Sequence, residues 1–168
     1  MRIALVVHKF PPHSIGGTEI YTLNLARELS QRGYEISVFY RWDKAPLGKS
    51  EMAWEERKGF KACRVSRTYR PESASLLAQF LDTFFNPDVE RFFERFLEEA
   101  RPDILHFQHL MSLSYRLILQ ARQRGLPVFL TLHDYWFLCS NSQLIWPDAQ
   151  VCSGKALGLN CARCALAR

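Results

Sequence analysis

A chain of 168 residues and 19.6 kDa fits one domain, or one domain with a short appendage, and can bury a core without disulfide staples. Its composition, 48% hydrophobic and 23% charged with a mean hydropathy of −0.17, excludes a disordered tail and a fibrous repeat. The net charge of +5 is uneven: residues 41–70 hold nine Lys or Arg against four Asp or Glu, and residues 71–100 hold seven acids against two bases. Solvated faces account for both runs, and the basic one also fits an anionic surface. Nucleic acid is the weaker candidate, because no recognition motif accompanies the charge.

No window of about 18 apolar residues exists, so no transmembrane helix is expected. The apolar run Ile3–Val7 is too short for a signal-peptide core and lacks a small-residue cleavage site. The chain is therefore expected in the cytosol, where its five cysteines serve more readily as thiols or metal ligands than as disulfides.

In chain order, residues 2–8 form a continuous apolar run, the pattern of a strand covered on both faces. The loop Lys9–Gly17, with two prolines and two glycines, precedes a helix expected from Gly17 or Thr18 to Arg32. Tyr21, Leu25, Ala26 and Leu29 share one face of that helix, and Gly33 is placed to stop it. Glu35–Tyr40 reads as a second strand, 41–58 as a loop and Phe60–Val65 as a third strand. Ser73 or Ser75 caps a helix to about Phe85. Asn86 caps a second piece, with Pro87 in its first turn and an aromatic stripe of Val89, Phe92, Phe93, Phe96 and Leu97 that reads as core. Asp103–Phe107 is a fourth strand. A helix capped by Ser112 runs to Gly125, with Leu113, Leu117, Ile118 and Ala121 as its stripe, and Pro127–Leu132 is a fifth, fully apolar strand.

This alternation predicts an α/β fold: a doubly wound, Rossmann-like parallel sheet of about five strands with helices on both faces, over residues 1–139. Residues 140–168 break the pattern and form a Cys-bearing extension, with a turn at Trp146–Ala149 between two short runs that suggests a hairpin.

Ligands gather beyond the carboxyl ends of such strands. His8, His109 and His133 follow strands one, four and five there. Gly16 and Gly17 open the first helix, where missing Cβ atoms and free N–H groups suit a phosphate or a sugar hydroxyl network. Gly-x-Gly-x-x-Gly is absent, and Tyr40-Arg41 stands where a dinucleotide fold places a ribose-binding carboxylate, so a nicotinamide oxidoreductase is disfavoured.

Three segments carry a resemblance to a family. Residues 11–29, PPHSIGGTEIYTLNLAREL, resemble the first loop and helix of the family-4 glycosyltransferases, which have the GT-B fold. Residues 103–109, DILHFQH, resemble their fourth-strand motif, and residues 131–139, TLHDYWFLC, are similar to the segment after their fifth strand. The resemblance implies the amino-terminal domain of a retaining enzyme that moves a sugar from a nucleotide-sugar to a glycan or lipid-linked acceptor, with no catalytic metal or other catalytic cofactor. It implies that Gly16 and Gly17 face the donor diphosphate and that His133 lies at the reaction centre. Glu19, His109 and Asp134 would be substrate-binding residues. Helix-start N–H groups would stabilise the departing diphosphate. Such enzymes bind the nucleotide through a second domain that 168 residues do not contain. The chain is therefore expected to be an amino-terminal fragment, inactive alone, and peripheral contact with an anionic inner leaflet would suit a lipid-linked acceptor. The competing reading is a non-catalytic Rossmann-like binding module.

Cys139, Cys152, Cys161 and Cys164 lie within 26 residues and end in Cys-x-x-Cys. A structural zinc site, reduced thiols or disulfides, and an iron–sulfur cluster all remain open for them. Cys63 stands apart as a small buried residue.

Overall fold

The computed structural model describes residues 1–42, 50–66, 84–139, 142–154 and 156–167. Its compact units are Met1–Thr131 and Leu132–Arg168, dividing ahead of the boundary expected at 139.

The first unit is built on β1 (Arg2–Val7), α1 (Gly17–Gln31), β2 (Glu35–Trp42), β3 (Glu51–Arg57), β4 (Phe60–Ser66), α2 (Pro87–Ala100), β5 (Ile104–Phe107), α3 (Arg116–Gln123) and β6 (Val128–Leu130). The strands form one sheet in the order β3-β4-β2-β1-β5-β6. All neighbours are parallel except β3, which runs antiparallel to β4. The parallel part has the doubly wound order, with its reversal of direction between β1 and β5.

The apolar strands split their side chains by the period of two. Ile3, Leu5, Val7, Ile36, Val38, Tyr40, Phe60 and Ala62 form one buried cluster with Ala26 of α1 and Phe10. Phe39 points to the other layer, where its ring lies 5.2 Å from Phe93 and 5.1 Å from Phe96 of α2. The expected stripe Val89, Phe92, Phe93, Phe96 and Leu97 is fully core-facing. Asn86 caps α2 as its sequence suggests: its side chain accepts the N–H of Val89 at 3.2 Å, and Glu90 accepts the N–H of Asn86 at 3.0 Å.

Four expectations are corrected. The segment 41–58 is not all loop: β2 continues to Trp42, and Glu51–Arg57 forms a sixth, edge strand. Its charges masked a strand that is half-buried because Trp54 stacks on Phe96 with ring centroids 5.5 Å apart. Tyr21 is exposed, and α1 buries Glu19, Thr22 and Ala26 instead. α3 starts at Arg116 rather than near Ser112, whose φ of +57° is not helical; the Ser114 hydroxyl accepts the N–H of Arg116 at 3.2 Å. β6 has only three residues, with Phe129 and Leu130 exposed, because it lies at the sheet edge. The helix expected from Ser73 or Ser75 lies outside the described residues up to Phe84.

In the second unit Ile145 and Val151 form an antiparallel bridge around the expected turn at 146–149. A 3-10 turn (Ala156–Gly158) then leads into α4 (Leu159–Leu166), which the sequence pattern did not suggest. Among the described residues, no helix is long and apolar enough to cross a membrane.

Tyr40 illustrates how the core sets a titration. Its hydroxyl donates to Glu55 at 3.2 Å, and burial, helped by the Glu55 charge, pushes its pKa up to about 12. The ordinary value is 10.0, so the neutral phenol favours the folded state below pH 10 and that contribution disappears as pH rises through 12. Urea unfolding from pH 9 to 12.5 is therefore expected to show a steeper alkaline loss for the native chain than for Tyr40→Phe; parallel curves would refute this.

Candidate functional site

The site is set by where β1 and β5 end. Each strand releases its chain at the carboxyl edge of the sheet, on either side of the direction reversal, where open α/β sheets form a ligand crevice. β1 delivers His8 and β5 delivers Gln108 and His109, all three buried. The Gln108 N–H is tied to the Val6 carbonyl at 2.8 Å, so the two strand ends keep register. The imidazoles of His8 and His109 stand 4.6 Å apart, tilted by 50°. His109 accepts the N–H of Met111 on Nδ1 at 3.1 Å, which leaves Nε2 to carry the proton of the neutral ring.

The loop after β1 brings a carboxylate to the same place. Glu19 is the third residue of α1 and only 6% exposed. It accepts the Ser14 hydroxyl on Oε1 at 2.9 Å, and the same oxygen lies 3.7 Å from His8 Nε2. Its other oxygen folds back over Gly16, where a Cβ would sit 2.6 Å away. A negative group at a helix start is favoured by the free N–H groups there.

The two glycines thus have different reasons to be glycine. Gly16 is extended, with φ of −150°, and the Glu19 carboxylate lies where its Cβ would be. A Cβ on Gly17 would meet nothing within 4 Å, so that position is the open side of the helix start.

Arg41 is buried at the end of β2, and its guanidinium donates to the Ser112 carbonyl at 3.2 Å, joining β2 to the loop after β5. Sequence reading did not place Ser14, Arg41 or Gln108 among the site residues. Gln108 adjoins His109, which is a usable signal. The Ser14 and Arg41 contacts depend on loop paths that no periodicity encodes.

Of the expected site residues, Gly16, Gly17, Glu19 and His109 gather at this crevice, with His8. His133 and Asp134 belong to the second unit. There His133 is half-buried, and exposed Asp134 accepts the N–H of Trp136 at 2.8 Å, the bond of an Asx turn. Cys139, Cys152, Cys161 and Cys164 are half-buried and none is in a disulfide. Among the described residues, no three His, Cys, Asp or Glu side chains stand together as a metal-holding group. Cys63 is buried in the first unit, where burial pushes its thiol pKa far up.

The fold is a Rossmann-like α/β domain with buried polar side chains, His8, Glu19 and His109, at its direction reversal. The model of Glycosyltransferase Family 4 matches residues 15–156. An uncharacterized 42.6 kDa protein in the cps region of Klebsiella pneumoniae is 26% identical over 153 residues, 86% of this chain and 39% of that protein. A solved sucrose-phosphate synthase from Thermosynechococcus elongatus is similar at a TM-score of 0.55 and 20% identity, covering 79% of this chain and 33% of that one. A structure described as trehalose-6-phosphate from E. coli bound with UDP-2-fluoro glucose aligns at a TM-score of 0.44 and 11% identity, over 80% of this chain and 33% of that one. The chain belongs to glycosyltransferase family 4, and its Rossmann-like fold is that of GT-B enzymes. It spans between a third and two fifths of the length of these proteins.

The Gly16–Glu19 contact predicts a coupled pair. Gly16→Ala should destabilise the chain by about 0.5–1.5 kcal/mol, the scale of the Ser14–Glu19 hydrogen bond that the carboxylate would give up in moving aside. In a Glu19→Ala background the same change should cost under about 0.5 kcal/mol. Equal costs in the two backgrounds, measured by urea unfolding, would show that Glu19 is not what excludes a side chain.

Proposed function

We propose that this chain is the mainly acceptor-side domain of a retaining glycosyltransferase, of hexosyltransferase type, that transfers a sugar from a nucleotide-sugar to a glycan or lipid-linked acceptor. The observation that carries the reading is the buried cluster of His8, Glu19 and His109 at the carboxyl ends of β1 and β5, beside the open helix start at Gly17. Membership of glycosyltransferase family 4 supplies the reaction class.

In this reading His109 and its neighbour Gln108 offer hydrogen-bonding groups to acceptor hydroxyls. The donor diphosphate approaches α1 from the Gly17 side, because the Glu19 carboxylate already covers Gly16. N–H groups at the helix start then stabilise charge on the departing diphosphate. His133 serves at the reaction centre and Asp134 on the substrate side. No catalytic metal or other catalytic cofactor is required.

Nucleotide recognition falls to a second domain of the kind GT-B enzymes carry, so the 168-residue chain by itself is expected not to transfer sugar. A transfer assay of this chain with a panel of nucleotide-sugars should give no turnover above blank, and turnover would overturn that expectation. If the gene product read through to its own stop codon also fails with every donor and acceptor, a non-catalytic binding module becomes the better account.

A peripheral membrane contact fits the basic stretch 41–70, of which 43–49 and 67–70 lie outside the described residues. Each basic residue near an anionic leaflet contributes about 1 kcal/mol, screened by salt. Co-sedimentation with anionic vesicles should be strong at low salt and weak at high salt. Equal binding to neutral vesicles would remove the proposal.

A further inference from the structure

The second unit, Leu132–Arg168, builds a groove from its own residues. The pairing of Ile145 with Val151 closes a short hairpin, whose turn puts Trp146, Asp148 and Gln150 along one wall. Two bonds fix that turn: the Trp146 N–H donates to the Gln150 carbonyl at 2.8 Å, and the Ala149 N–H donates to the Trp146 carbonyl at 2.9 Å. α4 and its carboxyl cap supply the other wall through Asn160, Arg163 and Ala167, which share a helix face by their spacing of three and four. α4 is tied back at two points. The Asn160 amide donates to the Gly154 carbonyl at 2.7 Å, and the Arg163 guanidinium lies over the Trp146 ring, 5.9 Å from its centre. The groove encloses about 420 Å³, within the roughly 300–1,000 Å³ of small-molecule sites.

Its lining selects a class of ligand. Asp148 and Arg163 contribute one charge of each sign, a balance that favours neither a phosphate nor a metal cation. Among the described residues, the Gln150 side-chain amide has no partner within the chain, and the Asn160 side-chain oxygen accepts no bond. A planar amide donates and accepts on one group, which matches neighbouring hydroxyls. The half-buried Trp146 ring adds an aromatic surface. The negative face of such a ring attracts C–H groups that carry partial positive charge, as on the apolar face of a sugar.

We propose that this groove binds a neutral saccharide, with Trp146 against the C–H face of the sugar and Asp148, Gln150, Asn160 and Arg163 on its hydroxyls. The lining alone gives that class; that the sugar belongs to a glycan acceptor rests on the proposed function. No bond is made or broken in the groove.

The test is NMR of the ¹⁵N-labelled 168-residue chain, which shows four indole N–H signals, one per tryptophan. The signal of Trp146 is assigned by its loss in Trp146→Phe. Glucose, galactose, mannose, N-acetylglucosamine, lactose and chitobiose are titrated in turn at millimolar concentration. At least one should shift the Trp146 indole and leave those of Trp42 and Trp54 in place. Gln150→Ala and Arg163→Gln change exposed side chains, so neither removes a core contact. Each should weaken that binding about fivefold, the scale of one lost hydrogen bond. Gln143→Ala, exposed in the same unit outside the groove, should leave it unchanged. A Trp146 indole that no sugar shifts overturns the proposal, as does a shift of equal affinity in Gln150→Ala and Arg163→Gln. Inorganic phosphate or UDP shifting it where no neutral sugar does overturns the ligand class. Binding is read without donor or turnover. Sugar binding by a chain whose longer gene product transfers nothing would therefore support the groove and count against the transfer reaction alone.

Discussion

Strand β1 carries hydrogen bonds to parallel neighbours on both edges and packs side chains on both faces, and the rest of the first unit is arranged by that confinement. A strand enclosed on four sides must be apolar throughout, and Ala4, Leu5, Val6 and Val7 are completely buried. Because β2 lies on one edge and β5 on the other, the chain reverses its winding at β1. The carboxyl end of β1 therefore stands beside a crevice, and the first polar side chain after it, His8, is placed there by the sheet rather than by its own preferences. His109 reaches the same point from β5 for the same reason.

The crevice is polar in a protected way. Glu19 lies between the amino end of α1, the Ser14 hydroxyl and Nε2 of His8, and the missing Cβ of Gly16 leaves room for it there. A carboxylate so placed answers the positive end of the helix from within the chain. This changes what a Gly-Gly pair at a helix start means. One glycine accommodates the protein's own anion, and the other stands beside open space.

The two units are stabilised in different ways. In the first, aromatic side chains of α2 interlock with Phe39 and Phe107 behind the sheet, while α1 closes the opposite face. In the second, tight turns and short helices leave every described side chain at least partly in solvent. Chain entropy must be met there by means other than a buried apolar core.

Periodicity alone determined much of the first unit. The unbroken apolar run at residues 3–7, the Asn86-Pro87 helix start, the stripe on α2 and the stop at Gly33 each carry a local physical signature, and each formed the expected element. The glycine loop, His8 and His109 were legible as positions at the carboxyl edge of the sheet, since sheet topology puts such positions there. Tertiary structure decided the rest. Glu51–Arg57 looked like a charged loop because its strand character comes from pairing with β4 and from Trp54 resting on Phe96. Tyr21 looked like a core residue because spacing does not say which side of a helix meets the sheet. Glu19 was legible as a carboxylate at a helix start, but its partners Ser14 and His8 come from the loop path and the strand end. Local patterns are set by backbone geometry within a few residues, whereas these assignments depend on partners brought together across the sheet.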